Sequence, residues 1–309
     1  MAIVAAQQMI EALDTLFGVH PGCRPVHARG LVLAGEFTAS PIAARLTRAA
    51  HMQGNPVAVI ARFSGSSGYP GWPDYLPDAR GLAVSFHLPE GERTDIVAAT
   101  LPRFPVRKPE DFLSLVRALQ PRPALLWRLP WFLLRHPGVL RSLPANALSL
   151  ARPPASYVSL VYHAIHAFKW ITPYGSERHV RYRWVPEQRL TISWRAALCA
   201  GAHYLEEELR ERLHRGAVRM HLQLQVARPG DPVRDPSAPW PASRDIVTVG
   251  TLELRSLADA PAVLSFDPLR LIDGIVASDD PVLRFRQEVY ALAANRRQAS
   301  AKVRSIRAA

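Results

Sequence analysis

The sequence predicts an α+β chain, an antiparallel β barrel with helices packed around its outside. Apolar runs of strand length, bounded by Gly, Pro, Asn or Asp, fall into two groups, residues 21–100 and 157–257. A proline-cut helical excursion separates the groups at 110–155, and a helical pattern closes the chain at 281–304. With 28 prolines, 17 glycines and no internal repeat, these runs favour rigid loops between short strands over a long bundle. One domain over residues 1–309 is expected, since a large barrel absorbs that length and 48% hydrophobic residues supply its core.

Residues 1–20 open the chain as an amphipathic helix. MAIVAAQQMIEALDTLFG carries acids at Glu11 and Asp14 and has neither a basic start nor a clear cleavage site, so it is not read as a signal peptide. LVLAGEFTAS (31–40), PVAVIARFS (56–64), GLAVSFHL (81–88) and DIVAAT (95–100) follow as strands. The excursion is read as short helices cut by PRP (121–123), LP (129–130) and HPG (136–138). Its most apolar run, ALLWRLPWFLL (124–134), is interrupted by Arg128 and Pro130. It falls short of the ~20 residues a membrane span needs. Strands return at 157–171 and 179–186, and ISWRAALCAGAHYLEEELRERLHRG (192–216) reads as one helix stopped by Gly216. AVRMHLQLQVA (217–227) alternates strictly as a half-buried strand does, and 245–257 is another.

The formal charge is +12, and only three of the 38 cations are lysines. Nucleic acid, an anionic membrane surface and an anionic ligand are the partner classes such a charge admits. The arginines are scattered, without basic runs interleaved with aromatics, so nucleic acid is not expected. Arginine instead suits bidentate carboxylate binding. Two cysteines, Cys23 and Cys199, offer neither a disulfide framework nor metal spacing. A soluble, cytoplasmic protein is expected.

Two places invite chemistry. In RPVHARG (24–30), His27 lies between Arg24 and Arg29, cations that favour a neutral, proton-accepting imidazole. A histidine at the start of a strand is also often structural, and both readings stand. Arg286, Tyr290 and Arg297, spaced by four and seven, share a face of the last helix. Flanking cations favour a phenolate, a hard ligand for ferric iron, while a buried tyrosine beside surface arginines is the plainer alternative. HAIH (163–166) places its two rings on opposite faces of a strand, against a shared metal.

RPVHARG, GEF (35–37), PVAVIARFS, DARGLAVSF (78–86) and LPRFPVRKPEDF (101–112), in that order, resemble the N-terminal haem-binding half of the catalase family. FDPLRLIDGIVASDDPVLRFRQEVY (266–290), ending in Arg286-x-x-x-Tyr290 with Arg297 beyond, resembles that family's proximal segment. The resemblance runs from about Arg24 to Arg297. It implies a catalase-like barrel in reduced form, without wrapping arm or C-terminal domain, similar to the small catalase-related peroxidases. It further implies haem b, without NADPH. Tyr290 becomes the iron ligand, Arg286 keeps it ionised, His27 is the distal base and Ser64 its orienter. Val26 lies against the porphyrin, and Arg24, Arg62 and Arg297 meet the propionates. Phe112 matches the distal phenylalanine and His166 the family's histidine after the excursion.

The chain departs from the pattern at Ala99, where catalases place an asparagine, and at Leu292, where they place an aspartate. Loss of the distal amide weakens positioning of a second peroxide, so a peroxidase with weak catalase activity is expected. Its partners are then a peroxide and a small organic reductant, and a homodimer is left open. Rearrangement of a fatty-acid hydroperoxide, as in allene oxide synthases, is the alternative, against which Val26 argues. A haem carrier without turnover is another, against which the His27–Ser64 pair argues.

Overall fold

The computed structural model describes residues 5–120, 124–259 and 264–308. Residues 1–4 of the expected first helix and the PRP break at 121–123 lie outside them. In chain order the elements are α1 (Ala6–Phe17), β1 (Gly30–Ala39), α2 (Ala43–Leu46), β2 (Val57–Gly65), β3 (Arg80–His87) and β4 (Arg93–Ala99). The excursion holds α3 (Pro109–Ala118), α4 (Ala124–Arg135) and α5 (Leu143–Leu150). After it come β5 (Tyr162–Ile171), β6 (Glu177–Pro186), α6 (Trp194–Ala200), α7 (Tyr204–Arg215), β7 (Val218–Val226), β8 (Ile246–Leu257), β9 (Ile275–Ala277) and α8 (Pro281–Ala308).

The strands run antiparallel in the order β4-β3-β2-β1-β8-β7-β6-β5-β9, and a β4–β5 pairing closes the first eight into a barrel. That closure rests on the pair Ala99↔His163. Alternation along β6 and β7 sends every second side chain inward. Phe37, Phe63, Phe86, Trp170 and Trp184 fill the interior, with Phe37 set edge-on to Phe86 at 5.2 Å. The barrel is therefore packed, and a ligand of any size must sit on its wall.

Outside that wall, α1, α3 and α8 form a helical layer. Met9, Ala12 and Leu13 of α1 pack with Leu113 and Val116 of α3 and with Phe285 and Val289 of α8. Burying side chains of this size contributes roughly 1.5–3 kcal/mol each. Arg296 of α8 also meets Asp14 of α1 at 2.9 Å. The loop before β9 is fixed to β4 because the buried Asp95 carboxylate accepts from Asp267 N and Arg270 Nη1, both at 2.8 Å.

Several elements differ from the sequence reading. The helix expected over 192–216 is two helices, because Gly201 takes φ +97° and turns the chain between α6 and α7. The strand expected from Tyr157 begins at Tyr162, after a short turn in which Ser156 and Ser159 cap each other's backbone. Pro130 does not cut the excursion: α4 runs through it. The carbonyl it leaves without a donor belongs to Leu126, which stands in solvent. The three-residue β9 was too short to leave a pattern.

Candidate functional site

A largely apolar cleft lies between the barrel wall and the α1–α8 layer. Arg24, Val26, His27, Arg62, Ser64, Ala99, Arg286, Tyr290 and Arg297 all line it. Residues separated by most of the chain thus meet at one place.

His27 enters from the loop before β1 with φ +56°, the one positive φ outside glycine among the described residues. Such a conformation costs free energy and persists only where neighbours hold it. Here His27 N donates to Ser66 O at 3.1 Å, and Nδ1 sits 2.7 Å from Gly65 O and 3.0 Å from Ser64 Oγ. A carbonyl only accepts, so Nδ1 carries the hydrogen and Nε2 keeps its lone pair. Burial, then the Arg62 charge, pushes the His27 pKa down to about 3; the Gly65 bond opposes this, and Arg24 and Arg286 add to it. The ring is a neutral base over a wide pH range.

The expected role of Arg29 in this is not what the structure holds. Arg29 turns away to the buried Asp74 carboxylate and to Trp72 O. Arg62 supplies the nearby cation instead, its Nη2 donating to the carbonyl of His27 itself at 2.9 Å. Gly81 makes room for the ring, since a Cβ there would stand 2.9 Å from both His27 Cε1 and Ser64 Oγ.

Arg24, Arg62 and Arg297 form a cationic cluster at the cleft. Arg24 donates to Leu264 O at 2.9 Å, Arg62 to His27 O and Ala28 O, and Arg297 to Ala293 O and Leu264 O. None of these acceptors is a carboxylate. Burial first, then repulsion from Arg62 and Arg297, lowers Arg24 to about 9, although Tyr290 acts in the other direction. Burial lowers Arg62 to about 10 and also lowers Arg297. Guanidinium groups crowded like this fit an anionic ligand.

On α8, Arg286 Nη2 donates to Tyr290 Oη at 2.5 Å, and its Nη1 donates to His166 Nε2 at 2.9 Å. The acceptor role fixes the tautomer: His166 Nδ1 carries the hydrogen and donates to Asp280 Oδ2 at 2.6 Å. Burial lowers the His166 pKa to about 4, with the Asp280 bond opposing and Arg286 assisting. Asp280 also caps α8, its Oδ1 accepting from Val282 N at 2.8 Å and Leu283 N at 3.3 Å. One carboxylate thus sets both the start of the helix and the far end of the Tyr290 network.

His166 stands behind Arg286 rather than on the cleft surface. Phe112 packs in the helical layer, 4.8 Å from Phe104, also one residue back. His163 opens on a separate cavity with Arg181, Arg183 and Trp240. Leu292 is half-buried on α8. Sequence reasoning missed Asp280, the Gly65 carbonyl and Gly81. Asp280 had a usable signal, an aspartate directly before a proline at a helix start. The Gly65 carbonyl had none.

A model of the catalase family matches residues 8–307. The chain belongs to the catalase family. Two catalase-related peroxidases are similar to it over most of their length. That of Mycolicibacterium paratuberculosis is 42% identical over 290 residues, covering 92% of this chain and 91% of the relative. That of Synechococcus elongatus is 34% identical, covering 95% and 89%. The catalase of Listeria seeligeri is 29% identical, and the match covers 86% of this chain but 59% of the catalase. In fold, a fungal catalase superposes with a TM-score of 0.78 at 23% identity, over 89% of this chain and 59% of that one. Catalase A from Saccharomyces cerevisiae gives the same score and identity. Catalase-family proteins bind haem, and the cleft residues fit such a group: a phenol beside a guanidinium, and a cluster of half-buried to buried arginines bonded to carbonyls. Among the described residues, no helix is long and apolar enough to cross a membrane.

Proposed function

We propose that the chain is a haem b peroxidase that reduces hydrogen peroxide or an organic hydroperoxide at the expense of a small organic reductant. The observation that carries this reading is one cleft lined by both an acceptor-ready imidazole, His27, and a guanidinium-bound phenol, Tyr290. Tyr290 would hold the iron, and Arg24, Arg62 and Arg297 would meet the propionates. Bound there, haem supplies the redox centre that peroxide oxidises and the reductant restores.

The chain's own residues then move the proton. His27 Nε2 takes it from the peroxide oxygen next to the site and returns it to the departing oxygen, so that water leaves. The Gly65 carbonyl and Ser64 hold the ring in the tautomer this needs. Arg286, itself fixed through His166 and Asp280, donates to the Tyr290 oxygen and holds it in place as a ligand. Val26 gives the distal side an apolar wall. Ala99, also on that wall, offers no amide to orient a second peroxide, so the reaction favours an organic donor over oxygen release. Rearrangement of a fatty-acid hydroperoxide and haem carriage without turnover are not favoured: Val26 on the cleft wall argues against the first, and the held His27 base against the second.

Steady-state turnover of the haem-loaded protein tests this. Peroxide with an aromatic electron donor should give rapid donor oxidation and little oxygen, and Ala99→Asn should raise the ratio of oxygen released to donor oxidised. Vigorous oxygen release by the wild type would refute the role given to Ala99, and absence of donor oxidation would refute the peroxidase reading.

A further inference from the structure

The excursion has a face that neither the barrel nor the cleft uses. Within α4, Phe132 points inward, packed with Val106, Ala118 and Val139. Opposite it, Leu126, Trp127, Trp131 and Leu134 are 70%, 79%, 55% and 72% exposed. At ~100° per residue these four fall within an arc of about 140°. Leu140 and Leu148 continue the exposed apolar surface toward α5, at 50% and 79%. Isolated exposed leucines need no account, but a rank that includes two tryptophans does.

Charge identifies the occupant. Residues 112–155 contain six arginines and neither Asp nor Glu. Arg128, Arg135, Arg141 and Arg152 are exposed, and Arg135 lies over the Trp131 ring at 4.5 Å. A 12-residue helix with tryptophan and leucine on one side and arginines at its margins is suited to lying in a lipid interface. Its length, about 18 Å, is too short to cross. A second copy of the chain meets the face poorly, because a two-fold contact would bring arginines together with no acid to answer them.

We propose that α4 and the turn leading into α5 dock the protein on an anionic lipid surface, with Trp127 and Trp131 inserted at headgroup depth and the arginines on the acidic headgroups. The helix is firmly backed for this role: α4 packs on α3, and α3 packs on the α1–α8 layer that walls the cleft. Docking there holds the cleft one helical layer from the membrane, and the inference stands independently of which peroxide the cleft takes.

The test is co-sedimentation of the full, haem-loaded chain with phosphatidylcholine vesicles, with and without about 30 mol % phosphatidylserine. Binding to the serine-containing vesicles is expected at low salt, with release at high salt. Trp127→Ser with Trp131→Ser should reduce partitioning about tenfold or more, and Arg128→Gln with Arg135→Gln about fivefold per arginine. Peroxide turnover with a water-soluble donor should be unchanged in all four substitutions. Failure to bind anionic vesicles at low salt, or equal binding by the tryptophan variants, overturns the proposal. So does self-association of the wild type that the tryptophan substitutions abolish without any vesicle binding, which would assign the face to a second copy.

Discussion

Replacing His27 with alanine separates a proton carrier from a packing residue, and the wild-type pH profile sharpens the comparison. With its pKa at about 3, the His27 ring is about 99% neutral at pH 5. An ordinary imidazole at 6.5 would be only about 3% neutral there, a difference of roughly 30-fold in active base. The rate at which the ferric protein reacts with peroxide should therefore stay flat from pH 8 to pH 5. In His27→Ala that rate, normalised to haem, should fall by about 10²–10⁴, the range that general acid–base assistance contributes. Haem content should hold, because Tyr290 and the arginines are untouched. Stopped-flow mixing with peroxide across this pH range reads both quantities. Two results would refute the reasoning: a wild-type rate that drops about 30-fold toward pH 5, or a variant that reacts as fast per haem as the wild type.

Three further outcomes are expected. Tyr290→Phe should fold but retain roughly tenfold less haem, since the Tyr290 oxygen is the one strong ligand assigned to the iron; absorbance of the purified variant per chain measures it. Gly81→Ala should keep its haem yet lose about two orders of magnitude in peroxide reactivity, because the added methyl displaces His27 and Ser64; rates per haem check this. His51 lies buried against Phe86 and away from the cleft, and desolvation alone lowers its pKa to about 3. It is neutral when folded and binds a proton below 6.5 when unfolded, so its contribution is full above 6.5 and fades as the pH falls toward 3. At pH 5 the loss amounts to about 2 kcal/mol. Urea unfolding at pH 8 and pH 5 should show His51→Phe losing less stability on acidification than the wild type by that amount, whatever the substitution costs at both.

The barrel was legible because strand periodicity and turn residues are local signals, and β1, β2, β6 and β7 wrote them plainly. Gly201 was harder to read, since a glycine inside a helical pattern leaves open whether the helix bends or ends. Arg24, His27, Arg62 and Tyr290 were reachable through motif order, which carries information that single residues do not. Which cation acts on His27 was not reachable: Arg29 is nearer in sequence, but Asp74 draws it off, and only the β1–β2 register brings Arg62 beneath the loop. The Gly65 carbonyl is invisible to any reading of side chains. His166 was identified without its partners, because Asp280 lies 114 residues further on and the two meet only through the tertiary fold.

The position of α8 along the chain bears on how the protein is made. All eight barrel strands are complete by Leu257, whereas the clamp on the cleft begins at Pro281 and its phenol arrives at Tyr290. Chains emerge and fold from the N-terminus, so the barrel and its arginine-lined wall can form while the last helix is still being synthesised. The pocket is then a half-open mould. Asp280 gives the late helix a fixed starting point, and docking of its apolar face on Met9, Leu13 and Val116 shuts the mould. Docking of α8 then brings Tyr290 and Arg297 to a wall that already carries His27 and Arg62, so the pocket closes in one step.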